Sequence, residues 1–77
     1  MGKMPTKLKI QSKIHVCRAE KRITQQELAD AIGVTRATII SIEKGNYNPS
    51  LELSFRIALY FGKNIQDIFY VEEGDEQ

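Results

Sequence analysis

The sequence predicts an all-α fold, a bundle of five short helices, on three observations. Helix-starting residues recur at Thr24, Thr35, Ser50 and Asn64. Glycines stand where the runs should stop, at Gly33, Gly45 and Gly62. Between these marks, apolar residues return at steps of three and four. The chain has 77 residues, enough for one small domain that buries about 60 to 65% of its unfolded surface. Such a core is marginal, so dimerisation is expected to supplement it.

The elements follow in order. Residues 1–6 are polar, broken by Pro5, and expected to be flexible. Residues 7–11 alternate as Lys-Leu-Lys-Ile-Gln and residues 68–71 are β-branched and aromatic, so both read as short strands. Neither is long enough to stand alone, and a small antiparallel sheet between the terminal segments is one reading. A first helix continuous from Leu8 is the other. Helix one otherwise covers about residues 12–21, with Ile14 and Cys17 facing the core.

Thr24 and Glu27 have the spacing of a capping box, which starts helix two at Gln25. Leu28, Ala29 and Ile32 form its apolar stripe, and Gly33 supplies the positive φ that ends it. Ala29 is small enough to let two helices cross closely. Val34 is apolar at the turn, Thr35 caps helix three over residues 36–44, and Ile39 and Ile42 point inward. Pro49 disfavours helix at Asn48 and Ser50 caps helix four, with Leu51, Ser54, Ile57, Ala58 and Phe61 as the inward stripe. Asn64 caps a fifth helix over residues 65–69. Residues 7–71 thus read as one domain and residues 72–77 as an acidic flexible tail.

Charge is distributed unevenly. The formal net charge is +1, yet all 11 Lys and Arg lie at or before Lys63, while Asp67, Glu72, Glu73, Asp75 and Glu76 crowd the end. A positive body attracts phosphate provided the acidic tail projects away from it. The single cysteine excludes an internal disulfide and fits a reducing cytoplasm. No apolar run approaches the roughly 20 residues that span a bilayer, so no membrane association is expected. His15 and Cys17 lie two positions apart, on different faces of a helix, which makes a poor metal pair. No catalytic residue, metal or cofactor is expected, and the chain does not read as an enzyme.

Two capped helices joined by a glycine turn over residues 24–45 are the pattern of a helix-turn-helix, whose second helix enters the major groove of DNA. Hairpins of two helices also occur in proteins that never touch DNA, so the wider sequence matters. The run QQELADAIGVTRATIISIEKGNYNPSLEL resembles the Cro/CI/Xre family of transcriptional regulators, with its Gln-x-x-Leu-Ala opening, Gly-Val-Thr turn and Ile-x-x-Ile-Glu-x-Gly close. The likeness covers about residues 13–69. Its later part is similar to short stand-alone regulators of the cytolysin-repressor kind. The resemblance implies a Cro/CI-like bundle and a partly buried salt bridge between Arg18 and Glu43 that fixes the tilt of helix three.

Roles for the DNA contacts follow. Arg36, Ala37, Ile40 and Ser41 lie opposite Ile39 and Ile42 and are the expected base-contacting residues. Arg36 is the best base reader, since a guanidinium bidentate to guanine is worth about 1–3 kcal/mol of discrimination. The commoner family pattern has Gln at Ala37, a small polar residue at Ile40 and often a basic one at Ser41, so fewer hydrogen bonds are available here. Gln25 and Thr35 at helix starts, with Lys44, Asn46, Tyr47 and Asn48 after helix three, are the expected phosphate contacts.

One domain reads few base pairs, so a homodimer on a palindromic operator is expected, with half-sites about 34 Å apart. Phe55, Leu59, Ile65, Phe69 and Val71 exceed what one small core absorbs and form the expected dimer interface, a monomer with a larger core being the alternative. The function expected is that of a repressor binding double-stranded DNA in a bacterial or phage-encoded, cytoplasmic, nucleoid-associated setting. An antitoxin-type regulator that also holds a protein partner, and an interaction module on the same fold, are the alternatives.

Overall fold

The computed structural model describes residues 2–4 and 6–72. Along the chain come β1 (Ile10–Ser12), α1 (Ile14–Lys21), α2 (Gln25–Ile32), α3 (Arg36–Glu43), α4 (Leu51–Phe61), α5 (Ile65–Ile68) and β2 (Phe69–Val71). The fold is therefore the expected five-helix bundle with a small sheet. The expectation of a flexible start concerns residues 1 and 5 as well, which lie outside the described residues. So does all of the expected tail but Glu72.

Hydrogen bonding decides between the two readings of the N-terminal segment. β1 and β2 pair antiparallel, with Ile10 opposite Val71, Gln11 opposite Tyr70 and Ser12 opposite Phe69. Glu72 N–H donates to Lys9 O at 2.8 Å and Lys13 N–H to Ile68 O at 2.7 Å, extending the ladder at both ends. Backbone groups that would close the first turn of a longer helix are thus satisfied across the sheet. Helix α1 consequently starts at Ile14 rather than at residue 8 or 12. The strand lies at 10–12 instead of 7–11, because alternation alone does not say where a partner stands. For the same reason α5 stops at Ile68 and yields Phe69 to β2. Lys44 is the C-cap of α3 rather than its last residue.

The core is isoleucine-rich. Ile14, Leu28, Ile39, Ile42, Ile57 and Ile68 are completely enclosed, and Cys17, Ala29, Ile32, Leu53 and Ala58 complete it. Burying each large side chain contributes about 1.5–3 kcal/mol. Ala29 is completely enclosed, and α2 packs on α3. One stripe was misplaced. Leu51 is 71% exposed and Leu53 only 6%. At 3.6 residues per turn, Leu51 lies about 120° from Ile57 around the helix while Leu53 lies about 40° away. Ser54, Ile57 and Ala58 are buried and Phe61 half-buried, which fixes that phase.

Two arginines complete helix ends. α1 terminates at Arg22, whose φ of 59° is left-handed and whose N–H bonds Ala19 O. Arg56 of α4 donates from Nη1 to Ile32 O at 2.6 Å, satisfying a carbonyl at the C-terminus of α2 beside Gly33.

Candidate nucleic-acid interface

Helix α2 is started by local bonds. Glu27 N–H donates to Thr24 Oγ1 at 3.0 Å and Thr24 N–H to Glu27 Oε1 at 2.8 Å, a complete capping box. Gly33, at φ 79°, turns the chain, and both its N–H and that of Val34 bond Ala29 O. Thr35 then caps α3 by accepting from Thr38 N–H at 3.2 Å, and the two threonine hydroxyls lie 3.0 Å apart. The motif is thus marked out by bonds between residues no more than five apart.

Packing sorts the sides of α3. Ile39 and Ile42 are enclosed against the core, whereas Arg36 and Ala37 are exposed and Ile40 and Ser41 half-buried. Of these four, Arg36 alone is charged. Asn46 N–H bonds Ser41 O at 2.9 Å and Gly45 N–H bonds Ile42 O at 3.0 Å, so the chain leaves α3 in a tight turn. Lys44, Asn46, Tyr47 and Asn48 are all exposed along it. Gly45 has a φ of 78°, and the Gln11 side chain lies directly over it.

The far end of α3 is held by a three-residue array. Arg18 Nε donates to Glu43 Oε2 at 2.7 Å and its Nη2 to Oε1 at 3.3 Å, with the two side chains 19% and 11% exposed. Arg18 Nη1 also donates to Ile23 O at 3.0 Å. Gln25 Nε2 donates to Glu43 Oε1 at 2.9 Å. One carboxylate thereby ties α1, α2 and α3 together. Burial pushes the Glu43 carboxyl up, but the hydrogen bonds from Arg18 and Gln25 and the Arg18 charge together outweigh it and hold the group below its ordinary range.

Sequence reasoning missed the bond from Gln25, which joins residues 18 apart and leaves no local signature. The amide nitrogen carries a second N–H, so Gln25 retains one donor beyond its bond to Glu43. Thr35 is exposed, with its hydroxyl engaged in the cap. The residues expected at a dimer interface divide. Phe55 is 52% exposed, Leu59 78% and Val71 is also exposed, while Ile65 and Phe69 are half-buried against the core. Cys17 is buried, which pushes its thiol up, and His15 is exposed. Among the described residues no cluster of His, Cys, Asp and Glu could hold a metal ion, and no helix is long and apolar enough to cross a membrane.

Residues 14–68, which span α1 to α5, match the helix-turn-helix family. The chain belongs to the Cro/CI/Xre-type helix-turn-helix proteins. An uncharacterized HTH-type transcriptional regulator of Methanocaldococcus jannaschii is 48% identical, over 86% of this chain and all of its own length. The cryptic phage CTXphi transcriptional repressor RstR of Vibrio cholerae is 37% identical, over 74% of this chain and 51% of RstR. A Bacteroides fragilis protein of known crystal structure has a TM-score of 0.71 at 24% identity, covering 79% of this chain and 98% of that one. At that identity the likeness speaks for the helix-turn-helix fold alone.

Proposed function

We propose that this helix-turn-helix protein is a homodimeric repressor that reads a palindromic operator with α3 in the major groove. DNA-binding regulation of transcription is the work of the family, and it involves no enzymatic step. The observation that carries the reading is the division of α3. Two enclosed isoleucines fix one side, and of the four residues on the other, Arg36 and Ala37 are exposed to solvent and Ile40 and Ser41 are half-buried. Arg36 at the first turn is where a base-reading side chain of a helix-turn-helix stands. Gln25, Thr35, Lys44, Asn46, Tyr47 and Asn48 flank this side as phosphate contacts.

A second observation favours the dimer. Leu51, Phe55 and Leu59 follow at intervals of four along α4 and are all exposed, an apolar stripe that one copy leaves in water. A second copy related by a two-fold axis would cover it with the same stripe. The same stripe would serve an antitoxin-type regulator in gripping a protein partner. The repressor role draws on RstR, which is described as a transcriptional repressor.

The test is binding to the DNA flanking the protein's own coding sequence, comparing wild type with Arg36→Ala at two salt concentrations. Tight wild-type binding that becomes weak or sequence-blind in the variant supports the reading. Absence of salt-dependent binding to any duplex refutes it.

A further inference from the structure

We infer that Lys7 and Lys9, outside the matched family segment, form a second phosphate-binding element that clamps the DNA backbone beside the loop following α3. This rests on the DNA-binding reading and extends it to residues that the helix-turn-helix pattern does not contain. Both lysines are exposed, and with Leu8 and Ile10 between and beside them they line one open groove whose other wall is Gly45, Asn46 and Asn48. The strand puts them there. β1 packs on α3, and Gln11 lies so close over Gly45 that a Cβ at that glycine would come within 2.8 Å of Gln11 Oε1. Lys7 and Lys9 lie just before β1, and the seating of β1 on α3 carries them to the edge of Gly45 and the loop that follows it.

Neither lysine is tied up in an ion pair among the described residues. Among the described residues the ion pairs are Arg18 with Glu43 and Lys63 with Glu20, and neither involves the N-terminal segment. Glu72 stands opposite Lys9 at the end of the ladder, its Oε1 accepting from Gln11 Nε2, and it makes no ion pair with that lysine. Two lysines on a flexible stem suit phosphate oxygens, which need charge rather than fork geometry, and carry no base readout. The groove is open and shallow, as a surface laid along a polyanion must be, and its wall opposite the lysines is the loop that ends the recognition helix.

The experiment titrates wild type, Lys7→Gln/Lys9→Gln and Lys7→Arg/Lys9→Arg against a mixed-sequence duplex and the flanking-DNA duplex across a range of salt. Each lost phosphate contact makes the plot of log affinity against log salt shallower by about 0.9, so the glutamine variant should be shallower by about 1.8 per bound protomer. Between about 50 and 200 mM salt this amounts to a roughly 12-fold smaller loss of affinity than wild type shows. The preference for flanking over mixed-sequence DNA should stay unchanged, and the arginine variant should keep the wild-type slope. Wild-type binding with an unchanged slope in the glutamine variant would overturn the lysine clamp and leave the reading of α3 standing. A wild type that binds neither duplex would overturn both.

Discussion

Replacing Arg18 by Met leaves the Glu43 carboxylate enclosed with only Gln25 to satisfy it, and replacing Glu43 by Leu leaves the guanidinium without its counter-charge. Breaking a fully buried pair from one side costs about 3–5 kcal/mol. Here the two side chains retain 19% and 11% exposure, so water relieves part of that cost. We expect each single variant to lose about 2–3 kcal/mol. For a chain of this size, total stability is about 0.05–0.15 kcal/mol per residue, so either loss is a large fraction of the whole. The double variant Arg18→Met/Glu43→Leu removes both charges, fills similar volume, and should lie within about 1 kcal/mol of wild type. Urea unfolding followed by circular dichroism, at one fixed protein concentration, gives the coupling energy, expected to be at least about 2 kcal/mol. Additive single variants, each costing under about 0.5 kcal/mol, would refute the argument that the carboxylate is enclosed and held.

The same carboxylate fixes an acid limb. Its folded value is held below its unfolded one, so the stability it contributes is fully present above the unfolded glutamate value of about 4.3 and is lost as pH falls through the folded value. The double variant, lacking the group, should show a flatter stability profile than wild type as pH falls below about 4.3. Because the array also sets the orientation of α3, the double variant should bind DNA more weakly despite keeping its stability. That separation is the signature of a positioning role.

Other expectations follow from single sites. Gly45→Ala puts a Cβ 2.8 Å from Gln11 Oε1 at a φ of 78°, and should cost about 1–2 kcal/mol of unfolding free energy. Arg22→Gly relieves a left-handed residue at φ 59° and should raise the melting temperature, the gain being at most about 1 kcal/mol after the added freedom of the unfolded chain. Leu59→Glu places a charge in the proposed stripe and should raise the dimer dissociation constant at least about 100-fold, counting about 1.5–3 kcal/mol for each of two lost leucines. Sedimentation equilibrium reads it, and an unchanged constant would move the interface elsewhere. Deleting residues 73–77, which follow directly on the residue opposite Lys9, removes three acids and should tighten DNA binding at low salt but not at high salt.

What the sequence made legible is what local chemistry determines. The Thr24 capping box, the Gly33 turn and the Thr35 cap involve residues at most five apart, and all three stand in the structure where their spacing put them. Harder features depended on partners far along the chain. The alternation at residues 7–11 was real, but the extent of the strand was set by Phe69, Tyr70 and Val71 on the other side of the domain. Spacing alone lets Leu51 join the stripe of Ser54, Ile57, Ala58 and Phe61, whereas the phase of α4 is fixed by Ile57 and Ala58 packing in the core, which turns Leu53 inward instead. The left-handed cap at Arg22 carried no signal at all, since glycine is the usual mark and arginine stands there.

The side of α3 proposed to face the groove presents little that could read bases. Arg36 offers one fork of donors, Ala37 and Ile40 offer only apolar contact, and Ser41 is half-buried with its carbonyl bonded to Asn46. A recognition helix so sparing in donors gains discrimination only if its one guanidinium is held at a fixed height and angle, because a flexible reader loses the bidentate geometry on which its 1–3 kcal/mol, roughly, depends. The scaffold meets that need at three points: the Thr35 cap beside Arg36, the Glu43 array at the far end, and Gln11 seated over Gly45 just beyond it. Phosphate contacts at Gln25, along the loop and at Lys7 and Lys9 would supply affinity and register without adding sequence information. Specificity in such a protein falls to Arg36 and to the shape of the duplex between two half-sites, and substitutions at non-contacted operator positions should then matter as much as those beneath Ala37.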